Sequence, residues 1–300
     1  MLTTLFLLAL GTPGDVTSTP APQRFQVELA PCAESTVLRT TWISERRSTV
    51  KTTTNGVALP PYATHEERHL DRALEVLKCR AGVPQNLRVR FGEAFVKRLD
   101  PDPEPGQEVQ VGVPVYTTER SPLAGRTFDV AQVGETAEVF LSEGSPASAS
   151  LAQLVLEAEA IQGGAVPLPG DAIARAIGAT ARVKGEPFEF DALVAREMLG
   201  GAETGTFAAT FTFQGDERTP EGRTRARFDV RIVVHEETDG GLVRDADLRG
   251  SLITDPRSGR PIHFEVTGAE RTLIAAADAA NASEIEMDGT WHVRRTWAWR

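Results

Sequence analysis

The sequence predicts an α+β fold that is mainly antiparallel β: a strongly curved sheet or half-open barrel carrying a few short helices. Three observations predict it. Apolar residues alternate with polar ones at period 2 in many separate segments. Clusters of Asn, Gly, Pro and Asp cut those segments at turns. Helices do not alternate regularly with strands, as a parallel βαβ sheet would demand. Many antiparallel strands in one chain tend to curl, and the few helices are expected to cover one face or plug one end.

The chain has 300 residues and opens on Leu2-Thr3-Thr4-Leu5-Phe6-Leu7-Leu8-Ala9-Leu10. This run is too short for a membrane span of about 20 residues. Small residues, Pro and Gly follow it, so residues 1–21 read as a signal peptide, although no Lys or Arg stands ahead of the apolar run. The expectation is an exported protein, periplasmic or extracellular, with no transmembrane segment after cleavage. Residues 22–300 then form a single β-rich domain, divisible into halves 22–142 and 143–300. Cys32 and Cys79 are the only cysteines. In an oxidising compartment they are disulfide candidates, with two free buried thiols as the other reading.

Val37 to Thr54 is rich in Thr, Val, Ile and Trp, which suit a pleated surface, and Asn55-Gly56 signals the turn behind it. Leu87 to Phe91 and Glu108 to Val115 alternate strictly. The three prolines of Asp100-Pro-Asp-Pro-Glu-Pro-Gly106 mark a surface connection between them. Leu151, Leu154, Val155 and Ala158 follow the i, i+3, i+4, i+7 spacing of a helix over 147–161. Asp191 is placed to cap a second helix that Gly200-Gly201 stops, and Pro167 to Gly178 holds room for another helical turn.

Beyond Gly205 strands dominate. Thr206 to Phe213 and Phe228 to Val234 come first. Leu248 to Ile253 and Ile262 to Val266 then flank a turn at Asp255 to Gly259. In the last strand Trp291, Val293, Trp297 and Trp299 share one side, opposite His292, Arg294, Thr296 and Arg300. Asp288-Gly289 is the expected turn into it.

A hydrophobic fraction of 41% and a charged fraction of 25% suit a folded protein, and a formal charge of −10 excludes a nucleic-acid partner, which needs a basic footprint. No nucleophile elbow, P-loop or dinucleotide fingerprint is present. His65-Glu66-Glu67-Arg68-His69 is formally H-E-x-x-H. On a helix, His65 and His69 would hold zinc and Glu66 would act as general base. The candidates for a third ligand are Glu75, Glu93, His235 and His263. A strand over 65–69 would exclude that geometry.

A resemblance is carried by Asp71…Val76…Ala81-Gly82-Val83-Pro84…Leu87-Arg88…Phe91, by Ser121-Pro122-Leu123-Ala124-Gly125-Arg126, by Val183-Lys184-Gly185-Glu186 and by Gly250-Ser251-Leu252-Ile253…Ser258-Gly259-Arg260-Pro261. Over residues 70–270 the chain resembles a group of uncharacterised exported bacterial proteins rich in β-structure. Ala81 and Val83 depart from that group's usual turn. The resemblance implies an exported β-rich protein with a strand over residues 67–79, and it carries no known activity with it. From composition, strand pattern and the lack of a credible catalytic set, the favoured reading is a noncatalytic protein without a cofactor that binds an apolar ligand or an envelope partner. Trp291, Trp297 and Trp299 are then candidate binding residues, although filling a core is the plainer use of such side chains. The alternative is a zinc-dependent hydrolase using the segment 65–69.

Overall fold

The computed structural model describes residues 23–27, 32–99, 114–159, 168, 170–178, 180–200, 204–238, 240–277 and 282–300. Residues 1–21, the expected signal peptide, and most of the segment 108–115 lie outside these. In chain order the elements are β1 (Arg24–Phe25), β2 (Val37–Thr54), β3 (Val57–Ala58), β4 (Tyr62–Arg80), β5 (Val83–Leu99), β6 (Tyr116–Arg120), β7 (Thr127–Val133), β8 (Thr136–Leu141), α1 (Ala149–Ala158), α2 (Asp171–Gly178), β9 (Arg182–Val183), β10 (Pro187–Phe190), α3 (Ala192–Leu199), β11 (Thr206–Arg218), β12 (Thr224–Glu237), β13 (Leu242–Thr254), β14 (Pro261–Ala277) and β15 (Ala282–Trp299).

The strands form one antiparallel sheet of 13 strands, with β1 and β9 paired separately. Its order is β10-β11-β12-β13-β14-β15-β2-β4-β5-β7-β8, with β3 on β2 and β6 on β5. The two ends of the path, β10 and β8, do not pair with each other, so the sheet is open. The last strand, β15, lies against β2, the first strand of this sheet, from Trp299 opposite Leu38 to Ser283 opposite Thr54. That pairing joins the two halves of the chain into one continuous sheet.

The turn residues act as their chemistry requires. Asn55 and Gly56 adopt φ of 52° and 77°, the positive pair that a tight hairpin needs. In the β13–β14 connection Asp255 Oδ1 accepts from the backbone N–H of Arg257 and Ser258, each at 2.9 Å. All three expected helices form. Asp191 caps α3, its Oδ1 accepting from Leu193 N–H at 2.9 Å and Val194 N–H at 3.1 Å.

One expected turn is absent. Asp288-Gly289 lies inside β15, paired with Arg271-Glu270 on one side and Thr49-Ser48 on the other. A Cβ at Gly289 would strike the Arg47 carbonyl and Ser48. Glycine stands there to let two backbones approach, not to reverse the chain. The strands are also longer than their apolar segments suggest, because charged residues continue them past the core. In β4 and β5, register shifts at Leu70/Arg72 and at Val76 to Cys79 break the alternation that the eye follows.

Inside positions of the sheet and the helices share one core. On β15 Trp291, Val293 and Trp297 are buried, and Arg295 on the same side is buried with them. Phe211, Phe213, Phe228 and Phe264 continue the aromatic lining, with Val155, Ile173, Ile177, Met198 and Leu199 facing them from the helices. Cys32 and Cys79 are joined in a disulfide, tying the segment before β2 to the end of β4.

Candidate functional site

The helices meet the sheet through arginines. A helix leaves its last carbonyls without intrahelical partners at the negative end of its dipole, and each helix here has a guanidinium at that end. Arg72 of β4 donates from Nη1 to the Ala158 carbonyl that ends α1. Arg182 of β9 donates to Ile177 O and Ala176 O of α2, both at 3.3 Å. Arg295 of β15 donates to Glu197 O of α3 at 2.8 Å. Two of these three arginines, Arg72 and Arg295, rise from the middle of the sheet.

Between the ends of α1 and α3 and the sheet lies a cavity of about 50 Å³, walled by Trp42, Leu70, Ala158 and Gly200 and by the charged Arg72, Glu159, Glu197 and Arg295. At about 10–15 Å³ for each water, it has room for a few waters or a small ligand group. Trp42 Nε1, Arg295 Nε and Glu159 Oε2 are buried and make no hydrogen bond. Gly200 closes the cavity at φ 123°, and a Cβ there would overlap the Trp42 ring.

The charges in this seam are strongly perturbed. Burial pushes Glu159 up to about 7, against the pull of Arg72 and Arg295 and with the help of Glu197. Burial, then repulsion from Arg72, lowers Arg295 to about 10, while Glu197 and Glu159 oppose the change. Arg72 Nη1 lies 2.8 Å from Glu159 Oε1, the two side chains being 4% and 1% exposed.

The candidate tryptophans are packed against side chains. Trp291 is fully buried, donates from Nε1 to Ser44 Oγ at 2.9 Å, and lies under the Arg46 guanidinium at 4.3 Å. Trp299 donates from Nε1 to Pro261 O at 2.9 Å and lies under Arg260 at 4.4 Å. Trp297 is 3% exposed beside Arg295. As folded, Trp291 and Trp297 are core residues and Trp299 is partly buried against them.

The segment 65–69 lies within β4, so the helical pairing of the two histidines is overturned. In a strand, residues four apart share a face but stand about 13 Å from each other, too far to ligate one ion. His65 instead approaches Glu45 Oε1 at 2.8 Å and Tyr116 Oη at 2.9 Å. Glu66, of opposite parity in the strand, belongs to the other face, where it accepts from Arg68 Nε at 2.7 Å and Arg98 Nε at 2.8 Å. Partial burial disfavours its charge, but the two guanidiniums outweigh that and hold its carboxyl below the ordinary range. A carboxylate so paired is poorly placed to take a proton as a general base. His235 pairs with Asp245 and His263 with Glu265, both away from β4.

Sequence reasoning missed Arg72, Glu159 and Arg295. Arg295 shares parity with Trp291, Val293 and Trp297, so the aromatic pattern itself marked it as an inward residue.

No protein-family model matches the chain, and comparison with curated proteins finds no match in sequence. Among solved structures, one described as lipid–protein interactions in lipovitellin aligns over 86% of this chain at 10% identity with a TM-score of 0.37. This chain spans 25% of the length of that one. The attachment invasion locus protein Ail of Yersinia pestis aligns over 87% of this chain and 99% of its own at 7% identity, with a TM-score of 0.15. At these scores neither likeness bears on function.

Proposed function

We propose that this chain is a noncatalytic binding protein that receives an apolar ligand between its sheet and the cover formed by α1, α2 and α3. The observation that carries this reading is the cavity at the seam of the cover. Trp42, Leu70 and Ala158 give it an apolar side, Arg72, Glu159, Glu197 and Arg295 give it a charged one, and it holds donors and an acceptor that no protein group satisfies. Apolar walls beside convergent polar groups that fix orientation are a usual form of small-ligand site, and a charged end of this kind suits the head group of an amphipathic ligand. A longer ligand requires α1 and α3 to part, and the arginine contacts at their C-termini are what such parting would break.

The sheet is on this reading strongly curved, a half-open barrel around the helices. Support comes from reach. Helix α3 is about 12 Å long, yet it packs on β11 while its C-terminal end touches Arg295 of β15 and Trp42 of β2. In a flat sheet β11 and β2 would stand five spacings of about 4.8 Å apart. Export is part of the proposal. It is supported by the apolar leader and by the Cys32–Cys79 bridge, since such bonds persist in oxidising compartments.

The test is a titration of the full chain with a fluorescent fatty acid, alongside Ala158→Leu, which fills the cavity. The reading expects saturable one-to-one binding that weakens at least tenfold in the variant. Equal binding by both proteins, or none by either, would contradict it.

A further inference from the structure

We propose that His69, Asp71 and Glu93 form a site for one divalent transition-metal ion on the sheet face opposite the helices. His69 Nε2 or Nδ1 and one carboxylate oxygen from each acid all lie within 4.8 Å of one another. Bonds of about 2.0–2.2 Å to a shared ion place such donors about 3–4 Å apart, so a small rotation of the exposed Glu93 completes the approach.

The backbone explains why three ligands meet here. His69 and Asp71 are two apart on β4 and therefore share a face. Between the pairs Leu70–Ala94 and Arg72–Phe91 the register shifts, so Asp71 faces both Gly92 and Glu93 of β5. This is a β-bulge, a device that re-aims a side chain. The bulge residue Gly92 adds no side chain to crowd the site; a Cβ there would stand 3.3 Å from Asp71 Cβ. Phe95 stacks on the His69 ring at 5.1 Å and 3°, fixing the imidazole plane.

Two further observations point to a ligand. His69 Nε2 and Asp71 Oδ1 are shielded from solvent and make no hydrogen bond, although Nε2 stands 3.0 Å from Asp71 Oδ2. The groups converge without the alignment of a donor on an acceptor. Nearby carboxylates have cations, as Glu66 has Arg68 and Arg98 and Asp129 has Arg88. Among the described residues Asp71 and Glu93 have no ion pair with Lys or Arg. A bound cation would supply the missing charge.

One imidazole and two carboxylates suit Zn²⁺ or Mn²⁺ better than Ca²⁺, which takes oxygen ligands. The site gives no support to hydrolase chemistry through Glu66, which belongs to the other face. It is also independent of ligand binding beneath the helices.

The test is calorimetric titration of the chelator-stripped full chain with ZnCl₂, repeated with CaCl₂. Expected is one Zn²⁺ per chain, weakened at least tenfold in both His69→Ala and Glu93→Gln, unchanged in His65→Ala, and not displaced by equimolar Ca²⁺. Glu93 is exposed, so Glu93→Gln tests the site without disturbing the core. Unsaturable binding, wild-type affinity in Glu93→Gln, or loss of binding in His65→Ala would each overturn the proposal.

Discussion

Arg72 on β4 and Glu159 just past α1 form a buried ion pair at 2.8 Å, and the same guanidinium holds the last carbonyl of the helix. This contact fastens the helical cover to the middle of the sheet, and two expected outcomes depend on it.

The first concerns pH. The carboxyl of Glu159 is raised from 4.5 to about 7 in the folded chain. The folded state thus binds a proton that the unfolded state has released, and stability falls as pH rises through that window. The contribution is complete below about pH 4.5 and lost above about pH 7, for a total on the order of 3 kcal/mol. Carboxylates held low, such as Glu66 and Asp247, act in the opposite direction. The comparison is therefore with Glu159→Gln. His235, raised by Asp245, loses stability over the same window in both proteins, so urea unfolding at pH 5 and pH 8 is expected to show a larger loss in the natural chain than in the variant.

Removing one partner of a buried pair is costly because the other charge stays behind. Arg72→Met is expected to destabilise by about 3–5 kcal/mol at pH 8. The double variant Arg72→Met with Glu159→Gln is expected to recover most of that loss. Unfolding free energies around the double-mutant cycle measure it, and additive single effects would show that the pair is not coupled.

At the other end of the cavity, Gly200→Ala places a methyl group against Trp42 at a backbone angle that suits only glycine. The expected cost is about 2 kcal/mol. It should appear together with a changed environment for Trp42, read as a shift in tryptophan emission.

Loss of the Cys32–Cys79 bridge, by reduction or by a double Cys→Ser change, is expected to lower stability by about 2–4 kcal/mol. The bridge spans a sequence separation of 47. Urea midpoints with and without reductant check it.

Much of the fold could be read from residue order because its cues are local. The pattern of Leu151, Leu154, Val155 and Ala158 marked α1, Asp191 marked the start of α3, and the side shared by Trp291 and Trp297 marked the inner face of β15. What escaped the sequence depends on pairing across the sheet. Asp288-Gly289 has the composition of a turn, and only its neighbours on β14 and β2 keep it extended. The spacing of His65 and His69 suits a helix, and the ladders on both sides of β4 decide against one. Arg72, Glu159 and Arg295 come from three distant points of the chain, so no spacing could bring them together. Asp71 joins His69 at period 2, a relation visible only once the segment is read as a strand.

Binding of an apolar ligand beneath the helices is tested most sharply by native mass spectrometry of the full chain purified without detergent, followed by organic extraction. Expected is a population one apolar molecule heavier than the polypeptide, with that molecule recovered in the extract and displaced by the fluorescent fatty acid. A bare polypeptide mass throughout, with no uptake after incubation with a total lipid extract, would contradict it.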